Sequence, residues 1–367
     1  MEHVDEIMTG YFVSLFRELE MYHAEGVRGP LRTVFIGGGT PTCPDSGFIL
    51  WLLSYLSEQW EFAYGWEATM EANPESLIDY PLDKIATAGV NRLSVGVQST
   101  FDHHLAYLER DADAETVRRA LERIAADWRG RLSFDIMYGI PGQTLDELYS
   151  TIEQLAAYDP EHISAYQLTP ERGTSFGRRV AKGQAIVPSD GESLALAEFV
   201  EAQLARHGFH RYEISNYAKK DGECRHNIAV WRGEEYLGVG VGAVGYIGGA
   251  RYENVRTLDE YFKLIGDGKP PRASEEKLAP AHRARERVAF GLRMLGGVQI
   301  AGDSIMSDAF GTDSLLSLND AYARAFMKTL ESLIDDDLLS LEEGMLRLTP
   351  AGLRVHNYVA ASILYGM

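Results

Sequence analysis

The sequence predicts an α/β protein built on a parallel sheet, and two observations carry that prediction. Five short apolar segments recur at residues 33–36, 66–71, 92–97, 132–138 and 162–168, separated by loops and by stretches of helical periodicity. A repeated strand-loop-helix rhythm buries parallel strands under crossover helices. Four of the five strands also end in a glycine or polar feature: residues 37–40, Glu71, Gln98 and Asp135. In parallel α/β folds the ligand sits at the carboxyl ends of the strands, so these residues are candidates for one binding rim.

Taken in order, residues 4–22 set Ile7, Tyr11, Leu15 and Leu19 on one helical face. The first strand breaks into Gly37, Gly38 and Gly39, a loop type that exposes backbone N–H groups to a ligand. A helix is expected over 46–59. The second strand stops at Asn73-Pro74, because the residue before proline avoids the helical region. A short helix over 82–88 precedes the third strand. Helices over 100–109 and 114–128 precede the fourth. The turn Gly139-Ile140-Pro141-Gly142 and a helix over 144–158 lead to the fifth. Beyond it, residues 238–249 are glycine-rich and read as a linker, and the Pro/Gly/Lys-rich stretch 266–274 is the best domain boundary. Helices over 278–294 and 315–333, a ribbon over 338–341 and 345–348, and a last helix over 350–364 read as a winged-helix-like α+β module. Such modules bind nucleic acid or cap a domain. The acidic flanks Asp335, Asp336, Asp337, Glu342 and Glu343 favour the cap.

A chain of 367 residues accommodates one large domain and a smaller one, and 45% hydrophobic residues suffice for a sizeable core. No apolar run approaches the roughly 20 residues of a membrane span. The acidic start is unlike a secretory signal or a transit peptide, so a soluble cytoplasmic protein is expected. A net charge of −19 argues against nucleic acid as the partner. The two cysteines, Cys43 and Cys224, make neither a disulfide framework nor a CxxC metal knuckle, and each reads as a small buried hydrophobe. Residues 240–245 fit GxGxxG, a weak signal alone. They run into a turn and a strand rather than a helix, without the acidic residue a ribose requires, so a nicotinamide site is set aside.

Four motifs in order resemble the radical S-adenosylmethionine core of the oxygen-independent coproporphyrinogen III oxidase family. They are Val34-Phe35-Ile36-Gly37-Gly38-Gly39-Thr40-Pro41, Glu71-Ala72-Asn73-Pro74, Asn91-Arg92-Leu93-Ser94-Val95-Gly96-Val97-Gln98, and the run from Phe134 through Asp135 to Thr144. His226-Asn227-Ile228-Ala229-Val230-Trp231 resembles the heme chaperone HemW branch of that family. The resemblance covers nearly the whole chain. It implies a partial (β/α)6 radical S-adenosylmethionine barrel lacking its first strand over 1–217. A connecting region over 218–273 and the winged-helix-like domain over 274–367 would follow.

The resemblance also implies S-adenosylmethionine as cofactor. Gly38, Gly39 and Thr40 would hold its methionine end. Glu71, Gln98, Arg110 and Asp135 would line the same site, Arg110 pairing with the carboxylate. Thr169 would touch the adenosine side. Read without the family, Glu71 and Asp135 could cap the next helix, Arg110 could be a solvated helix end, and Gln98 could satisfy a rim carbonyl. His226 would be an axial heme ligand with Trp231 beside it; its plain alternative is a histidine hydrogen-bonded in a turn. The function implied is heme trafficking, with heme or porphyrin as cargo and heme-accepting apoproteins as partners. The alternative is oxidative decarboxylation of coproporphyrinogen III.

The resemblance has two departures. The family's first strand and its CxxxCxxC loop, whose thiolates hold a [4Fe–4S] cluster, have no counterpart here, so the sequence offers no metal ligands of that kind and leaves enzymatic activity open. Either the sequence begins inside a longer protein, or the protein is a degenerate relative. The intact cofactor loop, and the apolar sheet edge otherwise exposed, favour the first. The second departure is Val230, where the HemW branch carries tyrosine.

Overall fold

The computed structural model describes residues 2–300 and 321–366. They form two compact units, one of residues 28–211 and 215–224, the other of residues 1–27, 212–214 and 225–367. The expected segment 1–217 therefore does not coincide with a unit. The first helix, Glu2–Ala24, groups with the C-terminal half, and the reason lies in Glu18. That carboxylate is fully buried and accepts hydrogen bonds from Tyr261 Oη, Asn254 Nδ2 and Gly240 N at 2.7, 2.7 and 2.9 Å. No periodicity argument singles out such a residue.

The first unit is built on a seven-stranded sheet of order β1-β2-β3-β4-β5-β7-β6. Its strands are β1 (Leu31–Ile36), β2 (Phe62–Ala72), β3 (Arg92–Gln98), β4 (Arg131–Tyr138), β5 (His162–Gln167), β6 (His210–Arg211) and β7 (Asn216–Ala218). The first five run parallel, as the sequence predicts. Met70, Leu93, Val95, Phe134, Ile136 and Ile163 are fully buried on one face, and Thr69, Arg92, Ser133 and His162 are buried on the other, so both faces are covered, the condition under which parallel sheets occur. Helix Ala114–Asp127 buries Val117, Ala120, Leu121 and Ile124 at helical spacing and is capped by Asp113, whose side chain accepts from Thr116 N. Helix Leu145–Ala156 opens with a capping box of Thr144 and Glu147. The antiparallel extension through β7 and β6 was not expected: strands of two or three residues are too short to show a period.

In the second unit the glycine-rich stretch is not a linker. β8 (Val244–Ile247) and β9 (Ala250–Asn254) form a hairpin, and β10 (Arg272–Lys277) pairs with β9. The expected boundary at 266–274 thus runs into a strand. Gly245 is there for Tyr252: a Cβ at that position would fall 2.2 Å from the Tyr252 ring, whose hydroxyl donates to Gly238 O at 3.0 Å. The C-terminal module has a sheet of order β11-β13-β12, from Val298–Gln299, Met345–Leu348 and Leu339–Glu342. Helices Pro280–Gly291, Ala321–Asp335 and His356–Tyr365 accompany a core of Val288, Leu292, Phe326, Leu330, Leu346 and Ile363. The helix expected over 315–333 is seen from Ala321; residues 315–320 lie outside the described residues. Among the described residues no helix is long and apolar enough to cross a membrane.

Candidate functional site

The site starts where β1 and β2 end side by side. The register pairs Ile36 with Met70, which puts Gly37 beside Glu71. A Cβ at Gly37 would fall 2.5 Å from Glu71 Oε2, so glycine is needed here for the carboxylate rather than for backbone conformation. Gly38 and Gly39 do need it for conformation, with φ of 77° and 126°. Nothing lies within 4 Å of where their Cβ atoms would stand, so their outer faces form an open cradle. Gly38 N donates to Glu71 Oε2 at 3.2 Å. Glu71 is therefore not a helix cap, and this N–H, expected to serve a ligand, is shared with the carboxylate. Burial raises the Glu71 pKa, and the Gly38 hydrogen bond opposes that rise.

Asn73 ties the rim together. Its Nδ2 donates to Thr40 Oγ1 at 3.1 Å, and its Oδ1 accepts from Arg110 Nη2 at 2.7 Å. The same Arg110 nitrogen donates to Gly96 O at 3.3 Å, so Arg110 is not a solvated helix end. In the sequence Asn73 reads as a strand stop and as part of the Glu71-Ala72-Asn73-Pro74 motif, with no side-chain role that predicts this bridge. An amide followed by proline, in register with two predicted rim residues, was the available signal. Gln98 closes the rim at the end of β3. The β3–β4 register slips between Gly96 and Gln98, and Gln98 takes a φ of 64°. Its Oε1 is buried without a hydrogen-bond partner, so it is not spent on the rim's own backbone. A strained residue with an orphaned acceptor at a sheet's carboxyl rim is a mark of a ligand site.

Asp135, on β4, lies between Ser94 and Ser164 and carries a pKa pushed up to about 6. Burial is the main cause; the Ser164 hydrogen bond lowers it, Glu71 raises it, and the Ser94 hydrogen bond and Arg110 lower it. It is not a helix cap either. A carboxylate whose folded pKa is raised binds protons more readily folded than unfolded, so its ionised form destabilises the fold above pH 6, and that penalty fades as pH falls toward 4. Asp135→Asn should therefore be more stable than the parent at pH 7.5 by about 1–3 kcal/mol. The difference should shrink by pH 4.5, which urea unfolding at the two pH values measures. An equal difference at both would rule out the charge as its cause.

Beside Gln98 and Arg110 lies a cavity of about 270 Å³, lined also by Tyr107, Met137, Leu168 and Phe176. Thr169 is exposed just past β5 and outside this lining; its hydroxyl donates to Glu171 Oε1 at 3.4 Å. In the other unit, His226 sits in the first turn of helix Arg225–Trp231 and Trp231 at its end. Five residues separate them, roughly 140° around a helix, so they do not share a face. Trp231 is covered by the Arg293 guanidinium, 4.3 Å from the ring centroid, and Arg293 reaches the fully buried Glu213 at 3.5 Å.

A parallel sheet with a glycine cradle and a polar carboxyl rim is the architecture of the radical S-adenosylmethionine proteins. The Radical SAM superfamily profile matches residues 10–155, and the HemN C-terminal domain profile matches residues 278–355. The chain belongs to the HemW family within that superfamily. It is 31% identical to the heme chaperone HemW of Lactococcus lactis, over 98% of this chain and 91% of that protein. It is 33% identical to HemW of Bacillus subtilis, over 96% and 91%. Its fold matches the solved coproporphyrinogen III oxidase HemN of Escherichia coli, a radical SAM enzyme, with a TM-score of 0.78 over 98% of this chain and 84% of that one, at 22% identity.

The superfamily's two cofactors fare differently against the residues present. The cradle at Gly38 and Gly39, the orphaned Gln98 Oε1 and the paired carboxylates suit an amino-acid-like ligand bearing an ammonium. A three-thiolate set for a [4Fe–4S] cluster is not found: Cys43 is exposed and Cys224 is buried, the latter donating to Glu67 Oε1 at 3.7 Å. The expectation of a buried cysteine fits Cys224 but not Cys43, which lies on the exposed loop after the cradle.

Proposed function

We propose that this protein binds heme and hands it to apoproteins, with S-adenosylmethionine held at the carboxyl rim of the sheet. Kinship with heme chaperones over nearly the full chain carries the heme reading. The Asn73 bridge beside the open glycine cradle supports the cofactor reading. Glu71 and Asp135 would accept from the ligand's ammonium or ribose hydroxyls. Gly38, Gly39 and Thr40 would shape its methionine end, Arg110 would face its carboxylate, and Gln98 Oε1 would take a donor. Thr169 would contribute at the adenosine side. Bound with a cluster, this cofactor supplies radical chemistry to the superfamily.

His226 is the proposed axial heme ligand, because neutral imidazole is the usual protein ligand to heme iron; Trp231, on a different face of the same helix and under Arg293, is proposed to hold that helix in place. Adding hemin to the purified chain should shift the Soret band. His226→Ala should weaken binding at least tenfold and alter the band, whereas Trp231→Phe should weaken binding with the band retained. A Soret band that does not move, or one identical in His226→Ala, defeats the assignment. Oxidation of coproporphyrinogen III rests on the shared fold alone, and anaerobic turnover by iron-reconstituted protein would be its test.

A further inference from the structure

A side-chain cluster outside the proposed cofactor rim has the composition of a metal site. Helix Asp102–Tyr107 presents two adjacent histidines, and the first turn of helix Leu145–Ala156 presents Glu147. His103 Nε2 is 3.1 Å from Glu147 Oε1, and His104 Nε2 is 3.6 Å from Glu147 Oε2. One ligand atom from each residue falls within 4.8 Å of the other two. Two donors bound to one tetrahedral zinc at about 2.0–2.1 Å stand roughly 3.3 Å apart, and the two histidine–carboxylate separations, each to its own oxygen of Glu147, bracket that span.

Three further observations separate this cluster from an ordinary surface ion pair. His104 is 1% exposed, and its Nε2 is buried with no hydrogen-bond partner, aimed at the carboxylate from just beyond bonding distance. Its other nitrogen is occupied: Nδ1 lies 2.9 Å from Ser99 Oγ, which also accepts from Phe101 N at 3.3 Å. With Nδ1–H donating to Ser99, the Nε2 lone pair is left for a cation, the outer-shell arrangement that metal-binding histidines use. Glu147 is oriented too, Oε2 accepting from Thr144 N at 2.9 Å and Thr144 Oγ1 at 2.8 Å.

We propose that His103, His104 and Glu147 bind a divalent transition-metal ion of the zinc class, with solvent completing the coordination. Two imidazoles and one carboxylate are a donor set that zinc accepts with an open position, and hard cations such as magnesium prefer all-oxygen sites.

The test uses the full chain, stripped with chelator and titrated with Zn2+ against a chromophoric competitor. Ten histidines in the chain give background binding in any assay, so the readout is the difference between parent and variants. His103→Ala is the decisive variant, since that side chain is 58% exposed and its loss does not threaten folding. The parent should bind one more equivalent of Zn2+ than His103→Ala or Glu147→Gln. Ser99→Ala should keep the stoichiometry and weaken the site about 10- to 100-fold. Co2+ should give visible d–d bands in the parent that His103→Ala removes. Equal zinc stoichiometry and affinity in parent, His103→Ala and Glu147→Gln would overturn the proposal and leave the cluster as an ion pair.

Discussion

Arg92→Ala should lower the stability of the sheet unit by about 3–5 kcal/mol, the largest single-residue effect expected at the amino ends of the strands. Arg92 is 1% exposed and Glu67 3%. Arg92 Nε and Nη2 reach Glu67 Oε2 at 3.1 and 2.9 Å, and Nη2 also donates to Glu223 O at 3.0 Å. Removing the guanidinium strands a buried carboxylate and a carbonyl, and a buried charge without its partner costs more than the pair contributes. Arg131, 3.7 Å from Glu67 Oε2 and 35% exposed, compensates only partly. His162, at the start of β5, holds a pKa pushed down to about 3, by burial first and by the Arg92 charge second, so it stays neutral and cannot repel. Urea unfolding at pH 7 measures the loss. Arg92→Met combined with Glu67→Leu should recover most of it, because an apolar pair leaves no buried charge unpaired, although the Glu223 carbonyl still loses its donor. A single Arg92→Ala that unfolds within 1 kcal/mol of the parent would mean that the pair is not the buried lock its geometry describes.

The contrast between this end of the sheet and the other marks how far sequence reaches. The carboxyl rim was legible because each apolar run stops at a residue that has no place in a core: Gly37, Glu71, Gln98, Asp135. The amino end was not, because Glu67 and Arg92 lie within runs that read as plain strand, and their pairing is set by a register that only the folded sheet defines. Asn73 shows the same limit at the rim itself. Its backbone role was readable from Pro74, whereas its side-chain bridge to Thr40 and Arg110 depends on which loops β1, β2 and β3 bring together. The stretch 238–249 was misread for the opposite reason. Its glycines suggest freedom, but Gly245 makes room for the Tyr252 ring and Gly240 for the Tyr11 hydroxyl, tertiary causes with no local signature. Glu18, which ties the first helix to the second unit, looks like any acidic residue on a helix until its three donors are seen.

Gly37→Ala should weaken S-adenosylmethionine binding nearly as much as Glu71→Ala, by about 2–3 kcal/mol, or roughly 30- to 150-fold in Kd. The methyl group has no backbone penalty to blame, since the left-handed conformations in this loop fall at Gly38 and Gly39 and not at Gly37. It has a steric one: the new Cβ would stand 2.5 Å from Glu71 Oε2 and 2.8 Å from Cδ and from the Phe35 ring. The carboxylate must leave its seat, and Gly38 N loses its acceptor with it. If that displacement is the whole effect, the double variant should bind no worse than Glu71→Ala alone, because an absent carboxylate cannot be displaced. Equilibrium binding of the four proteins completes the cycle, and the expected coupling is close to the full single-variant loss. Additive losses would place the damage of Gly37→Ala in the loop rather than in Glu71. Unchanged binding in both single variants would remove Glu71 from the cofactor site, leaving the glycine cradle without the acid proposed to serve it.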